Sequence, residues 1–199
     1  FRIGTIRADR IGHFVTDACE QKARLVDKPK RTVDLFWLPK RTSNVHWSQM
    51  VRRELVVLDW IQYVDFWNQV IPGGLAHSRP CTKNPGSRDI EGLYQRYNST
   101  FNFSSAESEQ GLAWLKKVGW REGDKFACVM VRDDAYLIEF HGEKTPKDSQ
   151  SRWSYHDYRN SDIDSYRPAL EGLVEQGVWI FRIGQRISFD MKYSHAKSI

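Results

Sequence analysis

The sequence has few of the patterns that assign a function at sight. None of its apolar runs approaches the roughly 18–20 residues that span a bilayer, and its mean hydropathy is −0.61, which excludes a transmembrane segment. Its three cysteines, Cys19, Cys81 and Cys128, form no C-x-x-C pair, so a cysteine-based zinc site is not expected. Their sparse, odd number favours a reducing compartment and buried thiols.

Common ligand-binding fingerprints are missing as well. The 199 residues contain neither a P-loop nor a G-x-G-x-x-G turn, and no G-x-S-x-G hydrolase elbow. The six histidines show none of the spacings of metal ligands. Neither a metal ion nor a cofactor is therefore expected, and the usual ATP and dinucleotide sites are excluded.

The sequence is rich in aromatic rings and uneven in charge. Its 8 Trp, 8 Tyr and 10 Phe need buried surface or a ligand to stack on, so we expect a packed core. Residues 1–60 hold 12 Lys and Arg against 7 Asp and Glu, a balance of +5, whereas residues 61–199 hold 18 of each. This basic first third is either a solvated face or the site of an anionic partner, with nucleic acid, acidic lipid and phosphorylated small molecules all open.

In the first half of the chain, hydrophobic periodicity predicts two strands and two helices. The strands cover residues 1–6 and 33–38, and the helices cover residues 44–55 and 60–71. The apolar stripe of the second helix consists of Trp60, Ile61, Val64, Trp67, Val70 and Ile71. Between these elements we expect a polar turn at 7–13, a loop at 21–32 and a linker-like loop at 72–103.

The second half predicts an alternation of helix and strand. A helix that starts near Ser104 precedes the apolar run at 126–131, which is typical of the central strand of a parallel sheet. A polar loop at 141–161, a helix that starts near Asp164 and a strand at 178–183 follow. This order is a βαβ unit, so we predict the α/β class, with the two strands adjacent and parallel.

Ligands of an open parallel sheet bind outside the carboxyl ends of its strands, where three polar segments are expected. The first contains Arg7, Arg10, Gly12 and His13. The arginines supply fixed positive charge, the glycine lets the backbone approach a ligand, and His13 is a candidate general base for a hydroxyl. A basic turn with a structurally hydrogen-bonded histidine is the alternative.

The other two segments belong to the βαβ unit. Arg132 and Asp133 come directly after its first strand. In one interpretation the arginine binds a phosphate and the aspartate orients the guanidinium group. In the other, the two side chains form a buried ion pair. Residues 155–162 combine two rings, a histidine, an arginine and an asparagine ahead of a helix. This segment suits a base, a sugar or a phosphate, or it is an ordinary polar loop. Arg182 and Gly184 end the next strand at the same edge.

Taken together, these stretches resemble a family of bacterial glycosyltransferases. In order and at compatible spacing, the resemblance covers residues 1–14, 126–137, 155–163 and 177–184. It implies the GT-B fold, with two Rossmann-like lobes in a layout similar to that of the fucosyltransferase-like enzymes. The implied domains are an acceptor-side α/β domain at 1–103 and the start of an incomplete donor-binding domain at 104–199.

The resemblance also implies an activity, the transfer of a sugar from a nucleotide-activated donor to a glycan, a lipid-linked acceptor or another hydroxyl, without cofactor or metal. His13 is then the catalytic base, and Arg7, Arg10 and Gly12 form an acceptor or phosphate loop. Arg132 and Arg159 are expected to contact the donor diphosphate. The other implied donor-binding residues are Asp133, Tyr158, Asn160, Arg182 and Gly184.

The implied setting is polysaccharide assembly on the cytoplasmic side of a bacterial membrane, with peripheral inner-membrane association as one option and no nucleic-acid partner. The chain is expected to be a fragment of a longer protein, poorly soluble or inactive alone. The alternative from another class is a nucleic-acid or anionic-polymer binding module that uses the basic first third. Trp37, Trp47, Trp60 and Trp67 fall at core-like spacings, which argues against the exposed rings that such a module needs.

Overall fold

The computed structural model describes residues 1–81, 89, 91–97, 100–142, 154–184 and 186–199. The strands are β1 (Arg2–Thr5), β2 (Asp34–Trp37), β3 (Phe126–Val129) and β4 (Trp179–Arg182). The α-helices are α1 (Ile11–Arg24), α2 (Val45–Glu54), α3 (Ile61–Val70), α4 (Leu93–Arg96), α5 (Ser105–Lys117), α6 (Ala135–Gly142) and α7 (Arg167–Glu175). Short 3-10 helices cover Gly74–His77, Ser154–Arg159 and Ile163–Tyr166. The protein therefore mixes helices with small parallel sheets, which is compatible with the predicted α/β class.

These elements form two compact units, residues 1–108 and 109–199, and the boundary falls inside α5. The described part of the linker-like segment at 72–103 packs into the first unit. Leu93 of α4 is buried there, and the Tyr94 hydroxyl donates a 2.7 Å hydrogen bond to the Thr16 carbonyl of α1. The functional domain limits at 103 and 104 stay a prediction. Among the described residues, no helix is both long and apolar enough to cross a bilayer.

The first unit is built on a short parallel sheet. β1 and β2, which confirm the first two predicted strands, pair in register with Ile3 opposite Leu35. Single parallel bridges add Val57 beside Phe36 and Ser78 beside Ile3. The order across the sheet is therefore Val57, β2, β1, Ser78. Within the described residues the sheet proper has two strands, and all of these pairings are parallel, which is compatible with the α/β class.

Helices α1 and α2 close the core of the first unit. Phe14 of α1 and Val51 of α2 are fully buried together with Phe36 of β2. The Phe14 and Trp47 rings meet edge to face, with their centroids 6.4 Å apart. Burial of each large apolar side chain stabilises the fold by about 1.5–3 kcal/mol. The helix predicted at 44–55 is confirmed as α2.

The buried carboxylate of Asp34 joins the amino ends of strands β1 and β2. Asp34 at the start of β2 is buried and accepts two hydrogen bonds from the Arg2 guanidinium of β1, at 2.6 and 2.8 Å. Arg79, which follows the Ser78 bridge, places its Nε 3.8 Å from the same carboxylate. Burial lowers the pKa of Arg79, and the nearby charge of Arg2 adds to this effect. One carboxylate thus holds cations from two other segments of the sheet.

Helix α1 corrects two of the sequence-based expectations. It spans Ile11–Arg24, so the turn expected at 7–13 ends three residues early, and the loop expected at 21–32 begins four residues late. The buried face of α1 includes Asp17 and Gln21 besides its apolar residues. These polar residues interrupt the apolar stripe by which a helix is recognised in a sequence.

Helix α3 confirms the helix predicted at 60–71 but not the side expected to be buried. Trp60 and Trp67 are each 60% exposed, and of the predicted apolar stripe only Ile61 is buried. The inner side is formed by Ile61 and Asp65, and the Asp65 carboxylate accepts the indole N–H of Trp37 at 2.8 Å. The expectation of a core position for Trp60 and Trp67 is therefore wrong, because a hydrogen-bonded carboxylate occupies the inner side.

The second unit contains the predicted βαβ arrangement. β3 and β4 are adjacent and parallel, with Ala127 opposite Ile180, and a parallel bridge places Ser198 beside Ile180. This confirms the pairing predicted for the strands of the βαβ unit. Helices α6 and α7 lie between the two strands along the chain, so the loop expected at 141–161 is partly helical. Its residues 143–153 lie outside the described residues.

Strand β3 is not the buried central strand that its apolar run predicts. Phe126 is 52% exposed and Cys128 is exposed, because within the described chain β3 has a pairing partner on one side only. The expectation of a buried Cys128 thiol is therefore wrong, whereas Cys19 and Cys81 are partly buried. The core of the second unit consists of two clusters, Trp120, Trp179 and Phe181, and Leu170, Val174 and Ile180.

The start of α5 carries a capping box. The Ser104 hydroxyl accepts the Glu107 N–H, and the Glu107 carboxylate accepts the Ser104 N–H at 2.7 Å. Two N–H groups of Arg53 donate to the same carboxylate, and these bonds are the main cause that lowers the pKa of Glu107 to about 2. The helix predicted to start near Ser104 is confirmed. Gly119 follows it with a φ of +101°, a conformation that favours glycine.

Replacing Gly4 by alanine should destabilise the first unit strongly. A Cβ at this position would lie 1.7 Å from the Arg79 carbonyl oxygen, so the Arg79 segment must move away from β1. We expect a loss of about 3 kcal/mol in the free energy of unfolding, measured by urea denaturation. Gly111→Ala in α5 is the control, since nothing lies within 4 Å of its Cβ, and it should stabilise by up to about 1 kcal/mol. Equal stability of the two variants would contradict this close packing.

Candidate functional site

The loop between β1 and α1 carries the first group of expected site residues. Arg7 follows the carboxyl end of β1, Arg10 is the residue before α1, and Gly12 and His13 lie in the first turn of the helix. That turn contains no acidic residue, and the Arg10 side chain makes no capping bond. The positive end of the helix dipole therefore adds to the positive charge of the two arginines.

Two buried side chains of α1 hold this loop in place. The Asp17 carboxylate accepts the backbone N–H of Arg7 at 2.7 Å and the Gln21 side-chain amide at 3.3 Å. The same Gln21 amide donates to the Pro80 carbonyl at 3.2 Å. Asp17 and Gln21 thus connect α1 to the loop after β1 and to the segment after Ser78. Sequence reasoning missed both residues, because a buried polar pair on a helix has no apolar pattern.

The environment of His13 favours its neutral form. Burial lowers the pKa of His13 below its ordinary value of 6.5, and the charge of Arg7 lowers it further. Arg10 acts in the same direction, while the carboxylates of Asp9 and Asp17 act against it. His13 is therefore neutral at pH 7, and a neutral imidazole can accept a proton, as a general base must.

The second unit has a cavity of about 480 Å³ at the carboxyl ends of its two strands. Val131 follows β3, and Arg182 is the last residue of β4, so the cavity lies where open parallel sheets bind ligands. Polar residues that follow the 3-10 helix at 154–159 form another wall. The full lining is Val131, Asp133, Asp134, Asn160, Ser161, Asp162, Ile163, Asp164, Arg182, Ser188, Phe189, Asp190 and Lys192.

The walls of this cavity are mainly acidic. Five aspartates line it, against the two cations Arg182 and Lys192. Lys192 lies 3.1 Å from the Asp164 carboxylate, and hydrogen bonding from Lys192 is the main cause that lowers the pKa of Asp164. Within the described ranges, no group of three His, Cys, Asp or Glu is arranged to hold a metal ion. Carboxylates, an amide and hydroxyls in this density suit a ligand rich in hydroxyl groups, because each hydroxyl can donate to a carboxylate.

Arg182 supplies a positive charge within these acidic walls. Its Nη1 atom is buried and has no hydrogen-bond partner among the described residues. A buried guanidinium N–H without a partner is costly, so such a group is commonly satisfied by a bound water or ligand. Because Nη1 lies below the solvent-accessible surface, what Arg182 offers an anionic ligand is its positive charge in the cavity lining.

The structure brings together three of the seven expected donor-binding residues. Asp133, Asn160 and Arg182 all line the cavity, although they are far apart in the sequence. The Asp133 carboxylate accepts the backbone N–H groups of Ala135 and Ser188, at 3.1 and 2.7 Å. These bonds hold the residues after β3 beside those after β4.

The other four expected donor-binding residues lie outside the cavity lining. Arg132 is exposed, and its carbonyl accepts the Ser161 N–H at 3.0 Å. The Arg159 Nε donates to the hydroxyl of its neighbour Tyr158 at 2.6 Å, and both side chains are exposed. Gly184 is also exposed. The structure therefore does not place Arg132 and Arg159 together at the cavity, where Arg182 is found instead.

Sequence reasoning missed one side of the cavity entirely. Ser188, Phe189, Asp190 and Lys192 follow β4 and return to the carboxyl edge of the sheet. They carry no motif, and the only sequence signal is their position directly after a strand of the βαβ unit. Comparisons with protein families, with curated proteins and with solved structures find no match to this chain.

Replacing Arg7 by alanine should raise the pKa of His13 toward 6.5, because Arg7 is the strongest of the charges that lower it. The pKa is measured from the imidazole proton shifts in an NMR titration between about pH 4 and pH 8. Lys40→Ala, a change at an exposed cation that does not act on His13, should leave the value unchanged. A wild-type value at or above 6.5 would contradict the described environment of His13.

Proposed function

We propose that the chain belongs to a glycosyltransferase of GT-B type that transfers a sugar from a nucleotide-activated donor to a hydroxyl acceptor. The observation that carries the proposal is the cavity at the carboxyl ends of β3 and β4, whose lining combines the positively charged Arg182 with several carboxylates. A nucleotide sugar matches this lining, because its diphosphate is an anion for Arg182 and its many hydroxyl groups can donate hydrogen bonds to the aspartates.

In the second unit, the proposal gives Arg182 the role of diphosphate ligand. Its guanidinium would neutralise the charge that develops on the leaving diphosphate as the bond to the sugar breaks. Asn160 and Asp133 lie in the same cavity lining and supply an amide and a carboxylate for ribose or sugar hydroxyls. Arg132 and Arg159 have a smaller role in this arrangement than the sequence implied, because their side chains lie outside the lining.

In the first unit, the proposal gives His13 the role of base. Its imidazole takes the proton of the acceptor hydroxyl, and the hydroxyl oxygen forms the new bond to the anomeric carbon. The bond from that carbon to the diphosphate oxygen breaks, and its electron pair leaves with the diphosphate. The neutral state of His13 at pH 7 supports this role, and Arg7, Arg10 and Gly12 at the start of α1 suit an anionic group of either substrate.

The folds of the two units support the GT-B type without establishing it. The first unit has a parallel pair of strands with a single parallel bridge on each side, and the second has a parallel βαβ unit. The proposed setting is polysaccharide assembly at the cytoplasmic face of a bacterial membrane, with a glycan or a lipid-linked acceptor. Neither a cofactor nor a metal ion is part of the proposal.

Replacing Arg182 by glutamine should weaken the binding of nucleotide diphosphate, because the change removes the proposed charge-assisted contact. We expect a loss of about 2–4 kcal/mol, or roughly 30- to 1,000-fold in affinity. The measurement is isothermal titration of UDP and of GDP into the protein. Arg159→Gln is the matched control, since its guanidinium is bonded to Tyr158 outside the cavity lining, and it should bind nearly as the wild type does.

The opposite result, a loss of affinity in Arg159→Gln with none in Arg182→Gln, would move the donor site away from the cavity.

His13→Gln separates the proposed role of the base from the binding of the nucleotide. It should lower turnover by about 10²–10⁴ while leaving the nucleotide affinity unchanged. Full turnover in this variant would return His13 to a structural role.

A further inference from the structure

Helix α3 turns a large uncharged apolar face away from the core of the first unit. This outer face consists of Trp60, Tyr63, Phe66, Trp67 and Val70, and each of these side chains is at least 60% exposed. A Trp, Tyr or Phe side chain offers about 150–250 Å² of surface, so the four rings alone expose several hundred Å². Patches of that size on a soluble protein commonly mark an interaction site.

The helix is attached firmly to the unit by its other side, so the exposure is not a result of loose packing. Asp65 is buried and accepts the Trp37 indole N–H at 2.8 Å, and Ile61 is buried beside the sheet. The turn after α3 packs back on it, since a Cβ on Gly74 would lie 1.9 Å from the Asn68 carbonyl oxygen. The fold thus directs the only charged side chain of α3 inward and its rings outward.

We propose that the outer face of α3 docks the protein on an anionic lipid surface. The inference deepens the membrane setting of the proposed function, and it rests on this face and on the charge of the first unit rather than on the proposed sugar transfer. The first unit, residues 1–108, holds 16 Lys and Arg against 11 Asp and Glu, a balance of +5, whereas residues 109–199 hold 14 of each. A positive unit with an apolar, Trp- and Tyr-containing helix face complements the interface of a negatively charged bilayer, where such rings lie at the level of the headgroups.

The chemistry of the face favours lipid over nucleic acid. A groove for single-stranded nucleic acid combines stacking rings with cations that follow the phosphates. The exposed residues of α3 carry no charge, and the aliphatic Val64 and Val70 stand among the rings. Aliphatic side chains offer nothing for a base to stack on, but they partition into the acyl boundary of a bilayer.

The test is co-sedimentation of the full chain with vesicles. Vesicles of phosphatidylcholine with about 30% phosphatidylglycerol should bind the protein at low salt, and pure phosphatidylcholine should bind it much more weakly. Phe66→Gln should weaken the binding to the anionic vesicles, and Phe66→Gln/Trp67→Gln should weaken it at least about tenfold. Phe103→Gln is the matched control, because it removes a ring of the same unit that is 64% exposed, against 62% for Phe66, and it should bind as the wild type does.

A second measurement uses the wild type alone and does not depend on the folding of a variant. Bromine-labelled acyl chains in the anionic vesicles should quench part of the tryptophan fluorescence, because Trp60 and Trp67 enter the interface. The proposal is overturned if the protein does not bind the anionic vesicles, or if Phe66→Gln/Trp67→Gln and Phe103→Gln bind them equally. It is also overturned if the double variant abolishes self-association in sedimentation velocity or binding to single-stranded DNA while vesicle binding persists.

Discussion

The ion pair between Asp34 and the two arginines is the contact on which the first unit depends. Asp34 starts β2 and Arg2 starts β1, so the carboxylate joins the amino ends of the two strands, and Arg79 of the Ser78 segment lies 3.8 Å from the same carboxylate. Removal of one partner from such a buried pair commonly costs about 3–5 kcal/mol, because a charge stays behind without compensation. Since the strands have only four residues, a shift at their amino ends would reach the site loops at their carboxyl ends. Asp17 and Gln21 of α1 hold the loop after β1 and the segment after Ser78 by hydrogen bonds.

The strands and most helices could be predicted because local patterns determine them. Short strand-like runs predicted β1, β2 and β4, a continuous apolar run predicted β3, and capping residues predicted the starts of α2 and α5. The errors at α3 and β3 have one physical origin, which is that a pattern locates apolar side chains but not the surface they face. In α3 the stripe faces outward, because Asp65 bonds to Trp37 on the inner side. In β3 the apolar run is exposed, because one partner strand covers only part of it.

The candidate site was predictable to the level of the sheet edge but not to the level of single side chains. Parallel strands place their carboxyl ends together, so charged residues after β3 and β4 were expected to meet there, and Asp133 and Arg182 do so. Which arginine enters the cavity depends on contacts between residues distant in sequence. Arg159 bonds to the neighbouring Tyr158, and the segment at 188–192 returns to the cavity without any motif. Neither fact can be read from the spacing of the residues.

The charge distribution gives the two units different selectivity under the proposed function. In the second unit, five aspartates share the cavity lining with Arg182 and Lys192, so a bare phosphate meets more repulsive than favourable charges there. A ligand that joins its phosphates to a ribose and a sugar gains charge-assisted hydrogen bonds from its hydroxyls to the same carboxylates. The acidic walls thus discriminate against inorganic phosphate and in favour of a hydroxyl-rich diphosphate. In the first unit, Arg7 and Arg10 lie beside the positive end of α1, whose first turn contains no acidic residue, and Asp9 lies 3.9 Å from the Arg7 guanidinium, so this loop has fewer carboxylates than the cavity of the second unit.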